Sequence, residues 1–366
     1  MSTLSKTIGR GSRPGLRSTR WVTVIVSAFG LFAAWILLNL IIGGQCRDKC
    51  VVDTLQQTLR VATPIAFAAF CGVMCERAGV VDIGIEGKML TAAMVAYAVN
   101  LFAFQILKNS LDVATAGSIS RILALVAAVV SAVLMQLLHA VVSIKFKADQ
   151  IISGTVVNIL ALGVTGYLYR QFLAQNLPAG PGTFPILPIP LLSQIPIIGP
   201  ILFQQQPLTY LMLILAFLIH YMLFYTPWGL RTRAVGEHPR AADTLGINVL
   251  RTRYINVLLG GVIAGLGGAW FTLEAVDVFN PQMTNGLGFI GLAAMIFGKW
   301  TPFGALIGAF IFGLGNSITT TVSIYRPDIP SQLPQMLPYL LTIIVLTGAV
   351  GRATPPAADG TAYEKQ

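Results

Sequence analysis

The stretch Ile255-Asn-Val-Leu-Leu-Gly-Gly-Val-Ile-Ala-Gly-Leu-Gly-Gly-Ala-Trp-Phe-Thr-Leu-Glu-Ala-Val276 decides the fold, because its only ionisable side chain, Glu274, stands near its end. About 20 mostly apolar residues are what an α-helix needs to cross the hydrocarbon core of a bilayer. Comparable runs recur at 21–42, 55–75, 89–107, 119–144, 151–172, 208–226, 287–298, 303–324 and 336–350, which with 255–276 makes ten candidate spans. The run 287–298 is too short to cross alone and reads as a re-entrant or broken helix, a form tolerated where the backbone is buried in protein. Composition agrees: 55% of the 366 residues are hydrophobic and only 10% charged, against about one quarter charged in soluble domains. The expected fold class is an all-α polytopic membrane protein of about ten transmembrane helices. It comprises a cytoplasmic basic segment (1–20), a transmembrane domain (21–350) and a cytoplasmic tail (351–366), with no soluble domain.

Charge sets the orientation. Lys6, Arg10, Arg13, Arg17 and Arg20 precede the run 21–42, which exceeds the 7–15-residue core of a cleaved signal peptide and so reads as a retained first span. With the N-terminus in the cytoplasm, Arg77, Lys88, Lys145, Lys147, Arg231, Arg233, Arg240, Arg251, Arg253, Lys299 and Arg352 fall on that same side, and fewer basic residues fall opposite. This positive-inside asymmetry supports an even number of spans and both termini inside. The net charge of +10 is thus an orienting signal; nucleic-acid binding would need basic residues clustered on one folded surface. Cys46 and Cys50 fall in the first external loop, where a disulfide is permitted, and Cys71 and Cys75 lie one helical turn apart within a span. The inner pair reads as small apolar filler, since no His or carboxylate joins it at ligand spacing. The loop Gln175 to Pro207, proline-rich and without Lys, Arg, Asp or Glu, suits an external segment lying on the membrane surface or over a pore mouth. The tail after Gly351 reads as frayed.

Within the bundle, Gly261-x-x-x-Gly265 followed by Gly268, and Gly304-x-x-x-Gly308, mark close helix packing. The segment Glu76-Arg-Ala-Gly-Val-Val-Asp-Ile-Gly-Ile-Glu-Gly-Lys88 wedges charges and glycines between two apolar helices. Charges at bilayer depth are costly, so Asp82 and Glu86 belong at the interface, in pairs, or facing water. With Gly84 and Gly87 they define either a cytoplasmic turn or a re-entrant element that gates the pathway. Gly286-Leu-Gly-Phe-Ile-Gly-Leu292 echoes Gly79 to Ile85, as an inverted repeat of spans 2–5 and 7–10 would produce. Polar residues within spans are few. Asn158, Asn316 and Thr320 are the candidate lining of a translocation path, with Asn158 first; His220 and Glu274 complete the set.

The cytoplasmic loop 227–254 carries the clearest functional signal. Pro239 suits the first turn of a short helix, Arg240-Ala-Ala-Asp-Thr-Leu245 continues it, and Gly246 is placed to end it in a left-handed cap. The small side chains of Ala241 and Ala242 suit entry into a groove on a partner protein, while Arg240 and Asp243 stand three apart, within reach of each other or of that partner. The chain has no G-x-x-x-x-G-K-[ST] and no H-E-x-x-H, so neither an intrinsic P-loop ATPase nor a zinc protease is expected. No catalytic, metal or cofactor site is assigned.

At these residues the chain resembles a family: permease subunits of bacterial ABC importers for ribose-like sugars, branched-chain amino acids and nucleosides. The resemblance rests on Glu76 to Leu90, on Ala148-Asp-Gln-Ile-Ile-Ser-Gly-Thr-Val-Val-Asn-Ile-Leu-Ala-Leu162 and on Arg233-Ala-Val-Gly-Glu-His-Pro-Arg-Ala-Ala-Asp-Thr-Leu-Gly-Ile247, and spans roughly Leu55 to Gly348. The first two segments are most similar to the nucleoside branch. The resemblance implies a type II importer fold in the bacterial cell membrane and a second permease subunit, so that the pair forms a heterodimer. It also implies a cytoplasmic ABC ATPase and an extracytoplasmic lipoprotein that binds the substrate. Glu237 to Gly246 would be the coupling helix that the ATPase engages. A neutral polar solute is expected, nucleosides ahead of ribose-like sugars. An ion-coupled carrier would more usually show an ionisable residue at membrane depth, and only Glu274 approaches that; an embedded enzyme lacks a convincing nucleophile and base.

Overall fold

The computed structural model describes residues 48–174, 178–330, 332–337, 340 and 353–365. The basic segment 1–20, the first span 21–42, Cys46, most of the span 336–350 and Arg352 lie outside the described residues, as does the side chain of Cys50. The remaining expected spans are all helices. They are α1 (Asp48–Glu76), α2 (Ile85–Leu107), α3 (Val113–Ala140) and α4 (Gln150–Leu168), then the short α5 (Ile198–Phe203) and α6 (Pro207–Tyr225). After the short helices α7 (Pro227–Glu237) and α8 (Pro239–Thr244) come α9 (Val249–Trp270), α10 (Leu287–Phe297), α11 (Pro302–Tyr325) and the single turn α12 (Gln332–Gln335). Seven of these helices, extended in three cases by a π-helical turn, are long and apolar enough to span a membrane, and α10 is the short one.

Polar residues between the apolar runs set where helices begin. Asp112 accepts a hydrogen bond from the Thr115 amide, Asp149 from those of Ile151 and Ile152, Asn248 from that of Arg251, and Thr301 from that of Gly304. Each satisfies an amide that the first turn leaves without a partner. α1 is the central helix: 89% of its most apolar window is buried, against 28% for α3 and for α4.

The helix pairings exchange in the manner of two intertwined halves. α1 packs most extensively on α11 and α9 on α3, while α2 also lies on α9 and α10 on α1. Glycines permit the closest of these approaches. A Cβ on Gly265 would stand 2.6 Å from Val129 Cα, one on Gly268 2.3 Å from the Met89 carbonyl oxygen, and one on Gly308 2.8 Å from the Ala294 carbonyl oxygen. Backbone stands in each of those places, so a larger side chain would have to separate the helices.

The proline-rich loop is folded onto the bundle. Leu187 and Pro188 pair antiparallel with Gln205 and Gln204, the Phe184 amide donates to the Leu273 carbonyl, and Arg121 donates to the carbonyls of Pro181 and Thr183. Beside it Glu274 is buried and accepts hydrogen bonds from the Leu208 amide and from Thr209 Oγ1 (3.3 Å). The one carboxylate in the opening stretch thus caps the N-terminus of α6, where a negative charge opposes the helix dipole.

Candidate functional site

Between α1 and α2 the chain enters the bundle as irregular backbone. Gly79 turns it with φ +80°, and the non-helical residues Val80–Gly84 then climb beside the first turns of α4. The Val81 amide donates to Gln150 Oε1 (2.7 Å) and the Gly87 amide to Asn158 Oδ1 (2.8 Å). Eight residues of α4 separate Gln150 from Asn158, a rise of about 12 Å. Backbone this irregular is tolerated among apolar helices because side chains of α4 satisfy it.

Asn158 also donates from Nδ2 to the Ile83 carbonyl (3.0 Å). Both ends of its amide therefore staple α4 to the irregular segment. Gly87 is what allows this approach, since a Cβ there would lie 2.8 Å from Asn158 Cα. Asn316 and Thr320 sit together on α11: Asn316 Nδ2 donates to the Phe312 carbonyl, and Thr320 Oγ1 to the Asn316 carbonyl. Among the described residues no hydrogen bond joins this pair to Asn158.

Asp82, at the centre of the irregular segment, is fully buried with Lys88, Gln136 and His139. Lys88 Nζ lies 2.5 Å from Asp82 Oδ1, which also accepts from the Gly84 amide (3.1 Å), and Gln136 Nε2 donates to Oδ2 (2.8 Å). His139 Nε2 lies 3.1 Å from the Val81 carbonyl, to which it must donate, leaving Nδ1 to accept from Ser153 Oγ (3.0 Å). Burial of an ion pair is tolerated when geometry and extra hydrogen bonds satisfy both charges, and this one meets that condition at the carboxylate. Two expectations change here. Lys88 is an internal counter-ion and not a free cytoplasmic charge. A carboxylate does join Cys71 and Cys75, with one potential ligand atom from each of the three residues lying within 4.8 Å of the others. Lys88 neutralises Asp82 at Oδ1 and Gln136 donates to Oδ2, the oxygen nearest both thiols, so the cluster reads as an ion-pair node.

Glu86 links the two segments whose glycines echo each other. Its carboxylate accepts from the amides of Gly286 (2.8 Å) and Gly288 (2.7 Å), at the N-terminus of the half-length helix α10. Gly286 is left-handed, with the same φ of +80° as Gly79. The broken helix thus has its dipole opposed by a charge from the other half of the chain.

The segment 227–254 has the punctuation expected of it: Pro239 opens α8, and Gly246, at φ +80°, closes it with the Ile247 amide bonded to the Ala242 carbonyl. Ala242 faces inward, however, and packs with Val235, Val249 and Tyr363, so it belongs to the chain's own core and not to the exposed face of α8. Arg240, Ala241 and Leu245 are exposed, Leu245 to 81%. Nor does Ala241 donate within the helix; the first such bond runs from the Ala242 amide to the His238 carbonyl.

The tail is ordered, contrary to the frayed end expected. The Ala358 amide donates to the Gly236 carbonyl, the Ala357 amide to Glu237, buried Arg253 to the Thr361 carbonyl, and Lys147 pairs with Glu364 at 2.7 Å. Arg253, read as one of the orienting charges, is in fact 1% exposed. Burial pushes the Asp359 carboxyl up to about 6. By linkage this group favours tail docking fully below the ordinary carboxylate range and loses that contribution as pH rises through about 6, so at neutral pH the other anchors hold the tail.

Membrane-length helices around buried irregular backbone define a multi-pass membrane permease. The chain belongs to the family described as the permease component of the branched-chain amino acid transport system, which matches residues 54–346. It is 42% identical over 312 residues to the guanosine ABC transporter permease protein NupQ of Bacillus subtilis, covering 84% of this chain and 95% of that protein. It is 41% identical over 323 residues to the nucleoside ABC transporter permease protein NupC of Lactococcus lactis, covering 86% and 99% respectively. A second permease of Bacillus subtilis, the guanosine ABC transporter permease protein NupP, is 25% identical over 297 residues, covering 79% of each chain. No solved structure matches.

Proposed function

We infer that this chain is the translocating subunit of an ATP-driven nucleoside importer, working beside a second permease, a cytoplasmic ATPase and an external lipoprotein that delivers the solute. The observation that carries the reading is the 42% and 41% identity across nearly the full length of two permeases named for guanosine and nucleosides. NupQ and NupP, two permeases named for guanosine in one bacterium, support a heterodimer. The structure supports the ATP-driven class over an ion-coupled one. Glu86 and Glu274 each bond backbone amides at a helix N-terminus, and Asp82 is paired with Lys88, so these carboxylates already have structural partners. Asn158, Asn316 and Thr320 are the proposed lining for a neutral solute, and the segment Asp82, Gly84, Glu86 and Gly87 the proposed gate beside it.

In cells expressing the whole transport system, deletion of this subunit should abolish uptake of radiolabelled guanosine and leave ribose uptake unchanged. Loss of ribose uptake alone would reassign the cargo to sugars. In the proposed orientation, a single cysteine at position 240 should react with impermeant maleimide only after the membrane is opened, and one at position 191 in intact spheroplasts. Labelling of position 240 from outside would invert the whole arrangement.

A further inference from the structure

α8 is only six residues long, too short to hold itself in place. Its one buried side chain, Ala242, packs in a cluster with Val235, Val249 and Tyr363. The same tail crosses the cytoplasmic end of α1. A Cβ on Gly79 would meet the Ala358 carbonyl oxygen at 3.0 Å, and the Asp359 carboxyl lies against Glu76. Glu76 in turn accepts a hydrogen bond from Trp300 Nε1 (2.5 Å), between α10 and α11. An open cleft of about 620 Å³ lies between the first turn of α8 and Thr361–Glu364.

We propose that residues 356–364 are a clasp in the coupling apparatus, fastening α8 to the cytoplasmic ends of α1 and α9 so that displacement of α8 reaches the Glu76–Gly84 turn, with Tyr363 as its positioning residue. This rests on the reading of α8 as the helix the ATPase engages. The clasp touches every element such a transmission needs: Gly236 and Glu237 ahead of α8, Ala242 within it, Arg253 on α9 and Glu76 on α1.

The test uses the complete complex of both permeases, ATPase and binding protein in lipid nanodiscs, with Tyr363→Ala, Tyr363→Phe and a chain ending at Thr354. In Tyr363→Ala and in the shortened chain the ATPase should still co-purify and hydrolyse ATP at its basal rate. Stimulation by loaded binding protein should fall about tenfold, within the usual range of coupling between sites. Tyr363→Phe should restore most of it, because the ring stays in the cluster with Val235, Ala242 and Val249 and only the hydroxyl's contact with Asp243 is lost. Full stimulation in Tyr363→Ala would overturn the clasp, as would loss of the ATPase from the complex, which would make the tail an assembly element. If the shortened chain is not recovered from membranes, Tyr363→Ala decides alone. Leu245→Asp, run in parallel, addresses α8 itself: unchanged ATPase binding there would remove the reading beneath the proposal, whatever Tyr363→Ala shows.

Discussion

Leu245→Asp should leave the permease folded and inserted yet weaken its hold on the ATPase about ten- to a hundredfold. Leu245 is 81% exposed at the end of α8, so replacing it disturbs little of the chain's own core. In a complex the same side chain becomes an apolar anchor on the proposed docking face, and full burial of a leucine is worth about 1.5–3 kcal/mol, which converts to that range of affinity. Pull-down of the ATPase at graded concentrations measures it, and uptake should fall in parallel. Equal retention of ATPase by the variant and the natural chain would move the docking face away from α8. Ala242→Glu should also uncouple, by another route: the new carboxylate would be forced into the cluster of Val235, Val249 and Tyr363, displacing α8.

Lys88→Met should have the largest effect on the bundle itself. It leaves Asp82 fully buried without its cation, and breaking one side of a buried ion pair is destabilising by about 3–5 kcal/mol. The variant should be recovered poorly from detergent and unfold at a markedly lower temperature in fluorescence-detected size exclusion. Lys88→Met combined with Asp82→Asn should recover most of the loss, because neutral amides can share the site with Gln136 without an unpaired charge. A double variant as unstable as Lys88→Met alone would show that the lysine acts through packing and not through its charge.

Much of the fold was legible in the sequence, since a bilayer imposes a length and a polarity that few other environments do. All eight expected spans that fall within the described residues are helices, the short one included. The ends of α8 were legible because Pro239 and Gly246 each have a backbone conformation that dictates where a helix starts or stops. The facing of that helix was not. Small residues at 241 and 242 carry no periodic signal, and Tyr363, which decides which of them is buried, comes 121 residues after Ala242. The Asp82 node was hidden for a related reason. Gln136 and His139 lie 54 and 57 residues beyond Asp82, in a helix read only as apolar, and nothing local to either marks the convergence. Lys88 was counted with the loop charges because sequence position shows the sign of a charge before it shows its depth. The tail's polar composition concealed its order, which depends on one aromatic ring and on bonds to Gly236, Glu237, Arg253 and Lys147 that composition does not report.

Asp82 and Lys88 are six residues apart, and that spacing bears on how the chain is made. Both are synthesised before Gln136 and His139 exist, so as α1 and α2 leave the ribosome the two charges have each other as partners and little else from this node. Entering the bilayer singly, each would carry an insertion penalty of about 2.5–3.5 kcal/mol. Entering as one hairpin, they are neutralised within their own loop and wait for α3 to complete the hydrogen bonds. A hairpin of α1 and α2 that entered as a unit would thus present the later helices with a dipole already in place.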